Sequence, residues 1–114
     1  MKNQTIFNKV AKHLLKQGVR SESNPGNCRY KGPNGLKCAV GALIPNEVYS
    51  ENFEGRTILC LRGTGEYFTE EDGYSESNIT LLWKLQFIHD DLPIVDWKLY
   101  LSKLATEFDL KGPK

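Results

Sequence analysis

Residues 77–89 hold the feature that most restricts the fold of this chain. Seven apolar side chains occur in the ten residues from Ile79 to Ile88, and together they cover most of the circumference of a helix. A helix that is apolar on nearly every side must be surrounded by other elements of a core. The pattern therefore predicts a long central helix, with Trp83 among its buried side chains.

Two further long helices are predicted on either side of the central one. Residues 3–17 repeat apolar side chains at spacings of three and four, and Gly18 is typical of a helix end. Residues 94–108 show the same spacing, with Trp97 on the apolar face. We expect the three helices to pack around Trp83 and Trp97.

Residues 28–38 predict a short β-hairpin. The Pro-Asn-Gly sequence at 33–35 favours a tight turn, because proline presets the backbone angle and Asn-Gly tolerates left-handed geometry. Two registers stay open, one that pairs Tyr30 with Cys38 and one that pairs Cys28 with Cys38. Both registers place these three side chains on the same face.

The rest of the chain contributes shorter elements. Residues 55–63 fit a short helix or an alternating strand, and the helix is favoured, whereas residues 64–77 are acidic and predict a flexible loop.

The predicted fold class is α+β, mainly α. It is a single small domain over residues 1–114, with three longer helices, short helical turns and one β-hairpin.

Composition restricts the location and the partners. No window approaches the roughly 18 consecutive apolar residues of a membrane span, and lysines interrupt the N-terminal segment where a signal peptide would be uniformly apolar. We therefore expect a cytoplasmic protein without a membrane partner. The net charge of +1 lacks the basic excess of most nucleic-acid-binding proteins, so nucleic acid is an improbable partner.

The three cysteines raise the question of a metal site. An odd number of cysteines favours reduced thiols over a disulfide scaffold. Zinc would need four ligands from Cys28, Cys38, Cys60, His13 and His89, yet no two cysteines lie two to four residues apart. The spacing favours packed thiols, and no metal or cofactor is predicted.

A nucleophilic site is the second chemical hypothesis. It would use Cys38 or Cys60 as the nucleophile, with His89 and Asp90 or Asp91 as the base and its partner. A histidine at the end of a helix is more often stabilised by the helix dipole than used as a base. The sequence therefore predicts no catalytic residue.

The most distinctive stretch is CRYKGPNGLKCAVGALIPNEVY at 28–49, followed by ENFEG at 51–55. It resembles a family of small phage- and prophage-encoded proteins, in which Cys-x-Tyr-x-Gly-Pro-x-Gly leads into Lys-Cys-Ala-x-Gly and Leu-Ile-Pro. The resemblance implies a phage or mobile-element origin and a structural role for the motif. It transfers no catalytic residue.

The predicted function is that of a non-enzymatic phage or prophage accessory protein that binds a host or defence protein. Charge is distributed unevenly, with eight Lys or Arg and one acid in residues 1–43, and an acidic segment after them. Two surfaces are therefore predicted to contact the partner: a basic one around the first helix and the aromatic side chains of the acidic loop. Their residues are Lys9, Lys12, Lys16, Arg29, Lys31, Tyr67, Phe68 and Tyr74.

An alternative function stays open. Cys28, Tyr30, Cys38 and His89 would form a site for a metal or a small ligand, with or without catalysis.

Overall fold

The computed structural model describes residues 1–24 and 26–113, and four α-helices account for most of the regular secondary structure in that part of the chain. Loops containing short 3₁₀ turns connect them. None of these helices is long and apolar enough to cross a membrane. The helices are α1 (Asn3–Gln17), α2 (Ile58–Gly63), α3 (Glu76–Asp91) and α4 (Trp97–Glu107), and the 3₁₀ turns are Pro33–Gly35, Gly41–Leu43, Glu51–Phe53 and Ile94–Asp96.

The predicted β-hairpin at residues 28–38 is wrong. Single antiparallel bridges join Lys31 to Lys37 and Glu22 to Cys28, but neither extends into a strand within the described residues. In a hairpin, the N–H group of Tyr30 would bond the carbonyl oxygen of Cys38. Instead that N–H donates to a carboxylate oxygen of Glu54 at 2.8 Å, because the side chain reaches the backbone from another loop. The fold is therefore helical, with no sheet in the described part.

The first helix matches its prediction. α1 covers Asn3–Gln17, and its buried face consists of Ile6, Phe7, Val10, Ala11 and Leu14. Gly18 follows with φ of 68°, a left-handed conformation that suits glycine, and its N–H donates to the carbonyl oxygen of Leu14 at 2.8 Å. Residues 58–63 also form the favoured helix, α2.

The central helix has one exposed edge that its apolar pattern does not predict. α3 begins at a capping box between Ser75 and Asn78, and its apolar side chains are buried along most of its length. Trp83 and Phe87, however, are 46% and 51% exposed. The prediction that Trp83 lies in the core is wrong, because this edge of α3 faces solvent and not another helix.

Trp97 is the tryptophan that the core encloses. It begins α4, is 1% exposed, and its Nε1–H donates to the carbonyl oxygen of Leu92 at 3.2 Å. Residues 94–96, which were predicted as part of this helix, form a separate 3₁₀ turn. α1, α3 and α4 pack against one another around a single hydrophobic core.

Two aromatic side chains of the acidic segment belong to that core. Phe68 and Tyr74 are 0% and 2% exposed, and their rings lie edge to face with centroids 4.9 Å apart. The guanidinium group of Arg62 donates to both of their carbonyl oxygens and holds the segment in place. Phe68 and Tyr74, which were predicted to contact a partner, are enclosed in the core in this structure. Tyr67 is half-buried beside them.

Candidate functional site

A pocket of about 270 Å³ lies beside the exposed edge of α3. Its other walls come from residues 28–30, 38–40 and 54–58, so the distinctive motif supplies much of the lining. Chemically varied side chains line it: Cys28, Arg29, Tyr30, Cys38, Val40, Glu54, Arg56, Thr57, Ile58, Trp83, Gln86, Phe87, Asp90 and Asp91.

The motif reaches this pocket because two stretches of backbone approach each other closely. A Cβ atom at Gly41 would lie 1.9 Å from the carbonyl oxygen of Tyr30, so no other residue fits there without a shift of the backbone. Tyr30 is itself fixed, because its hydroxyl group donates to the carbonyl oxygen of Arg56. This contact accounts for the small residues around Gly41.

Glu54 joins three parts of the wall. Its carboxylate accepts hydrogen bonds from the N–H groups of Tyr30 and Lys31, at 2.8 Å and 3.2 Å, and from the hydroxyl group of Tyr49 at 2.5 Å. A carboxylate with several donors around it is a strong organising group. Sequence reasoning did not assign this role to Glu54, although the residue belongs to the distinctive ENFEG stretch.

Two of the basic residues predicted to bind a partner are engaged within the chain. Arg29 makes a two-pronged ion pair with Glu51, at 2.8 Å and 2.7 Å. The ammonium group of Lys31 donates to the carbonyl oxygen of Ile44 and to the side chain of Asn46. These contacts fix both side chains against neighbouring loops, and the carboxylate of Glu51 offsets the charge of Arg29.

The three lysines of α1 have the exposure that the prediction required. Lys9, Lys12 and Lys16 are exposed on the outer side of the helix. None of them forms an ion pair with another residue of segments 1–24 and 26–113. None of them lines the pocket.

Cys28, His89 and Asp90 form the one cluster of metal-binding side chains found among the described residues. Each offers a ligand atom, and these atoms lie within 4.8 Å of one another. His89 is fully buried, and its Nε2 accepts a hydrogen bond from the N–H group of Ser21 at 3.0 Å. The ring proton must therefore lie on Nδ1, which donates to Asp90 at 2.6 Å.

This hydrogen bonding disfavours a metal at the cluster. A metal on Nδ1 would displace the ring's one N–H proton, while Nε2 would still face a backbone donor, so the ring would have to become an imidazolate anion. His13, one of the other candidate zinc ligands, instead bonds the carbonyl oxygen of Lys37. The chemistry of the cluster suits a hydrogen-bonded carboxylate better than a metal site.

The two cysteines in the pocket are poor nucleophiles. Burial raises the pKa of the Cys28 thiol to about 12, and the neighbouring carboxylate of Asp90 adds to the shift. Burial likewise raises the pKa of Cys38 to about 12. A thiol must lose its proton to attack an electrophile, so both groups are in their unreactive form near neutral pH.

We expect thiol-specific labelling of the native protein to follow burial. Cys60 is exposed, whereas Cys38 is fully buried, so Cys60 should react at least about tenfold faster than Cys38 and Cys28 near pH 7.5. Mass spectrometry after timed quenching measures each site. The Cys60→Ser variant should lose the fast reaction, and in denaturant all cysteines should react alike. Rapid native labelling of Cys38 would support the catalytic alternative instead.

Trp83, Gln86 and Phe87 form part of the wall that α3 contributes to the pocket, and sequence reasoning assigned no site role to Gln86 or Phe87. Trp83 and Phe87 are one helical turn apart, and both line the pocket while remaining about half exposed. Gln86 accepts a hydrogen bond from the N–H group of Val40 and donates to Asp90, so it connects α3 to the motif. The sequence carries a weak indication of this arrangement, the polar residues Thr80 and Lys84 on the same side of α3.

Comparison with protein-family models, with curated proteins and with solved structures gave no match for this chain. The pocket and its exposed aromatic edge therefore carry the functional argument on their own chemistry.

Proposed function

We propose that the protein is a non-enzymatic accessory protein of a phage or prophage, which acts in the cytoplasm by binding a host or defence protein. The observation that carries the proposal is the exposed pair Trp83 and Phe87 beside the pocket. Large aromatic side chains at the mouth of a pocket are typical anchors of protein interfaces. The resemblance of the motif at 28–49 supports the phage origin.

The chemistry of the pocket supports binding over catalysis. Its thiols are held protonated by burial, and both nitrogens of His89 already have partners within the fold. A catalytic base needs a free acceptor within reach of a substrate. The pocket groups instead hold one another in place, which gives a rigid surface for a partner.

Loss of the aromatic pair should weaken partner binding by about 30-fold or more, the usual effect of removing interface hot spots. The partner is first isolated from lysate of the bacterial host with tagged wild-type protein and identified. Its dissociation constant is then measured for wild type and for the Trp83→Ala/Phe87→Ala variant. The thermal unfolding midpoint of the variant should stay close to wild type, because both side chains are half exposed.

The chain offers a matched control for this experiment. Val95 and Leu99 are 87% and 53% exposed and lie outside the pocket lining, so Val95→Ala/Leu99→Ala removes apolar surface elsewhere. This control should bind as wild type does. A third variant reverses the charges of Lys9, Lys12 and Lys16. If it abolishes binding while the aromatic variant binds normally, the interface is the basic face of α1 and the pocket assignment is wrong.

A further inference from the structure

The pocket carries more negative than positive charge once its internal ion pairs are considered. Arg29 and Arg56 both line it, but each is paired with a carboxylate, Glu51 for the first and Glu66 for the second. These two pairs leave little positive charge for a ligand. Three further carboxylates in the lining are those of Glu54, Asp90 and Asp91.

Asp90 and Asp91 occupy an electrostatically unfavourable position. They are the last two residues of α3, where the carbonyl groups make the end of the helix negative. Arg20 offsets part of this charge, because its guanidinium group donates to the carbonyl oxygens of His89 and Leu92. Asp91 is exposed and has no ion-pair partner in residues 1–24 and 26–113. An additional cation would therefore be stabilised there.

The aromatic wall lies next to these carboxylates. Trp83, Phe87 and Asp91 line the same pocket, and a step of four residues along a helix brings side chains to neighbouring positions on one side. A planar cation can stack on an indole ring while it pairs with a carboxylate, and arginine does both better than lysine.

We propose that the pocket receives an arginine side chain of the partner protein. The guanidinium group pairs with Asp91 and Asp90, and the rest of the side chain packs on Trp83 and Phe87. This inference rests on the proposed function and names the chemistry that the partner presents. The volume of about 270 Å³ is slightly below the roughly 300–1,000 Å³ of drug-sized ligand sites, which suits one inserted side chain.

The test uses short peptides and the full-length protein. Acetyl-Gly-Arg-Gly-amide is the probe, and the same peptide with citrulline in place of arginine is its neutral isostere. The chain has two tryptophans, of which only Trp83 lines the pocket, so the two indole N–H signals in NMR spectra report the site and an internal reference. The arginine peptide should shift the Trp83 signal in a saturable way and leave the Trp97 signal unchanged.

Two comparisons isolate the charge. The citrulline peptide should bind about fivefold more weakly, the upper range for a partly exposed ion pair. Asp91→Asn should weaken the arginine peptide by about twofold or more, a smaller factor because Asp90 remains, and leave the citrulline peptide unaffected, which completes a double-mutant cycle. Phe87→Ala should weaken both peptides equally. Asp91 accepts no side-chain hydrogen bond within the described residues, so its substitution leaves the fold intact.

Three outcomes would overturn the inference: no shift of the Trp83 signal by the arginine peptide, equal binding of the citrulline peptide, or equal weakening of both peptides by Asp91→Asn. If the proposed function is wrong, the experiments give a different result. In that case the arginine peptide binds as expected, but the partner is captured equally well by the Trp83→Ala/Phe87→Ala variant.

Discussion

Replacement of Trp97 by alanine is expected to lower the free energy of unfolding by about 3–5 kcal/mol, the usual cost of removing a large buried aromatic side chain. Trp97 is 1% exposed, its ring lies 5.7 Å from the His89 ring between centroids, and its Nε1–H bonds the carbonyl oxygen of Leu92. The substitution removes both contacts at the junction of α3 and α4. Urea denaturation measured by circular dichroism gives the value.

Trp83→Ala is the matched control, since it removes the same side chain from an exposed position. The loss should be below about 1 kcal/mol, because surface substitutions change stability little. This reverses the expectation from sequence, which placed Trp83 in the core. If the two variants were equally destabilised, the assignment of Trp97 to the core and Trp83 to the surface would be untenable.

The sequence predicts α3 well and its exposed edge poorly, for a physical reason. Periodicity distinguishes inside from outside only when the outer positions are polar. On α3 the aromatic side chains of Trp83 and Phe87 lie beside the polar positions Thr80 and Lys84. Apolar residues therefore occur on the solvent-facing side of the helix as well as on its buried side. Exposed aromatic side chains therefore remove the contrast between inner and outer positions from which burial is predicted.

For the candidate site too, local sequence patterns predict some features, and contacts between distant residues determine others. Cys28, Tyr30 and Cys38 were expected on one face, and all three line the pocket even though the hairpin prediction is wrong. Glu54 decides the actual backbone arrangement, and it acts on Tyr30 from 24 residues away. Turn and strand propensities depend on neighbouring residues, so they cannot predict this contact. The carboxylate of Glu54 competes with the carbonyl oxygen of Cys38 for the N–H group of Tyr30.

Two charged side chains that were predicted to face a partner instead form contacts within the chain. Lys31 and Arg29 looked like free cations on a basic segment, yet both are held by acceptors from residues 44–54. Lys9, Lys12 and Lys16 differ because a helix directs them outward, away from its apolar face. On α1, where apolar and charged positions alternate cleanly, helical spacing therefore predicts the exposure of the lysines, whereas a charged residue in a loop has no such rule.

Gly41→Ala is expected to destabilise the protein by about 3 kcal/mol, at the upper end of the usual cost of overpacking. The added methyl group would lie 1.9 Å from the carbonyl oxygen of Tyr30 and 2.6 Å from its carbonyl carbon. Backbone atoms cannot rotate away as a side chain does, and Tyr30 is held by hydrogen bonds to Glu54 and Arg56. The strain must therefore separate the two stretches of the motif.

Gly63→Ala separates this steric effect from the general effect of adding a methyl group. Gly63 ends α2, its φ is not positive, and a Cβ atom there would meet nothing within 4 Å. Its substitution should be neutral or stabilising by about 0.4–1 kcal/mol, because alanine restricts the unfolded chain more than glycine does. In Gly41→Ala the displaced wall should also speed native labelling of Cys38, which lies three residues before Gly41. A Gly41→Ala protein that is as stable as Gly63→Ala, with Cys38 still protected, would show that the close approach of Gly41 to Tyr30 does not hold the pocket together.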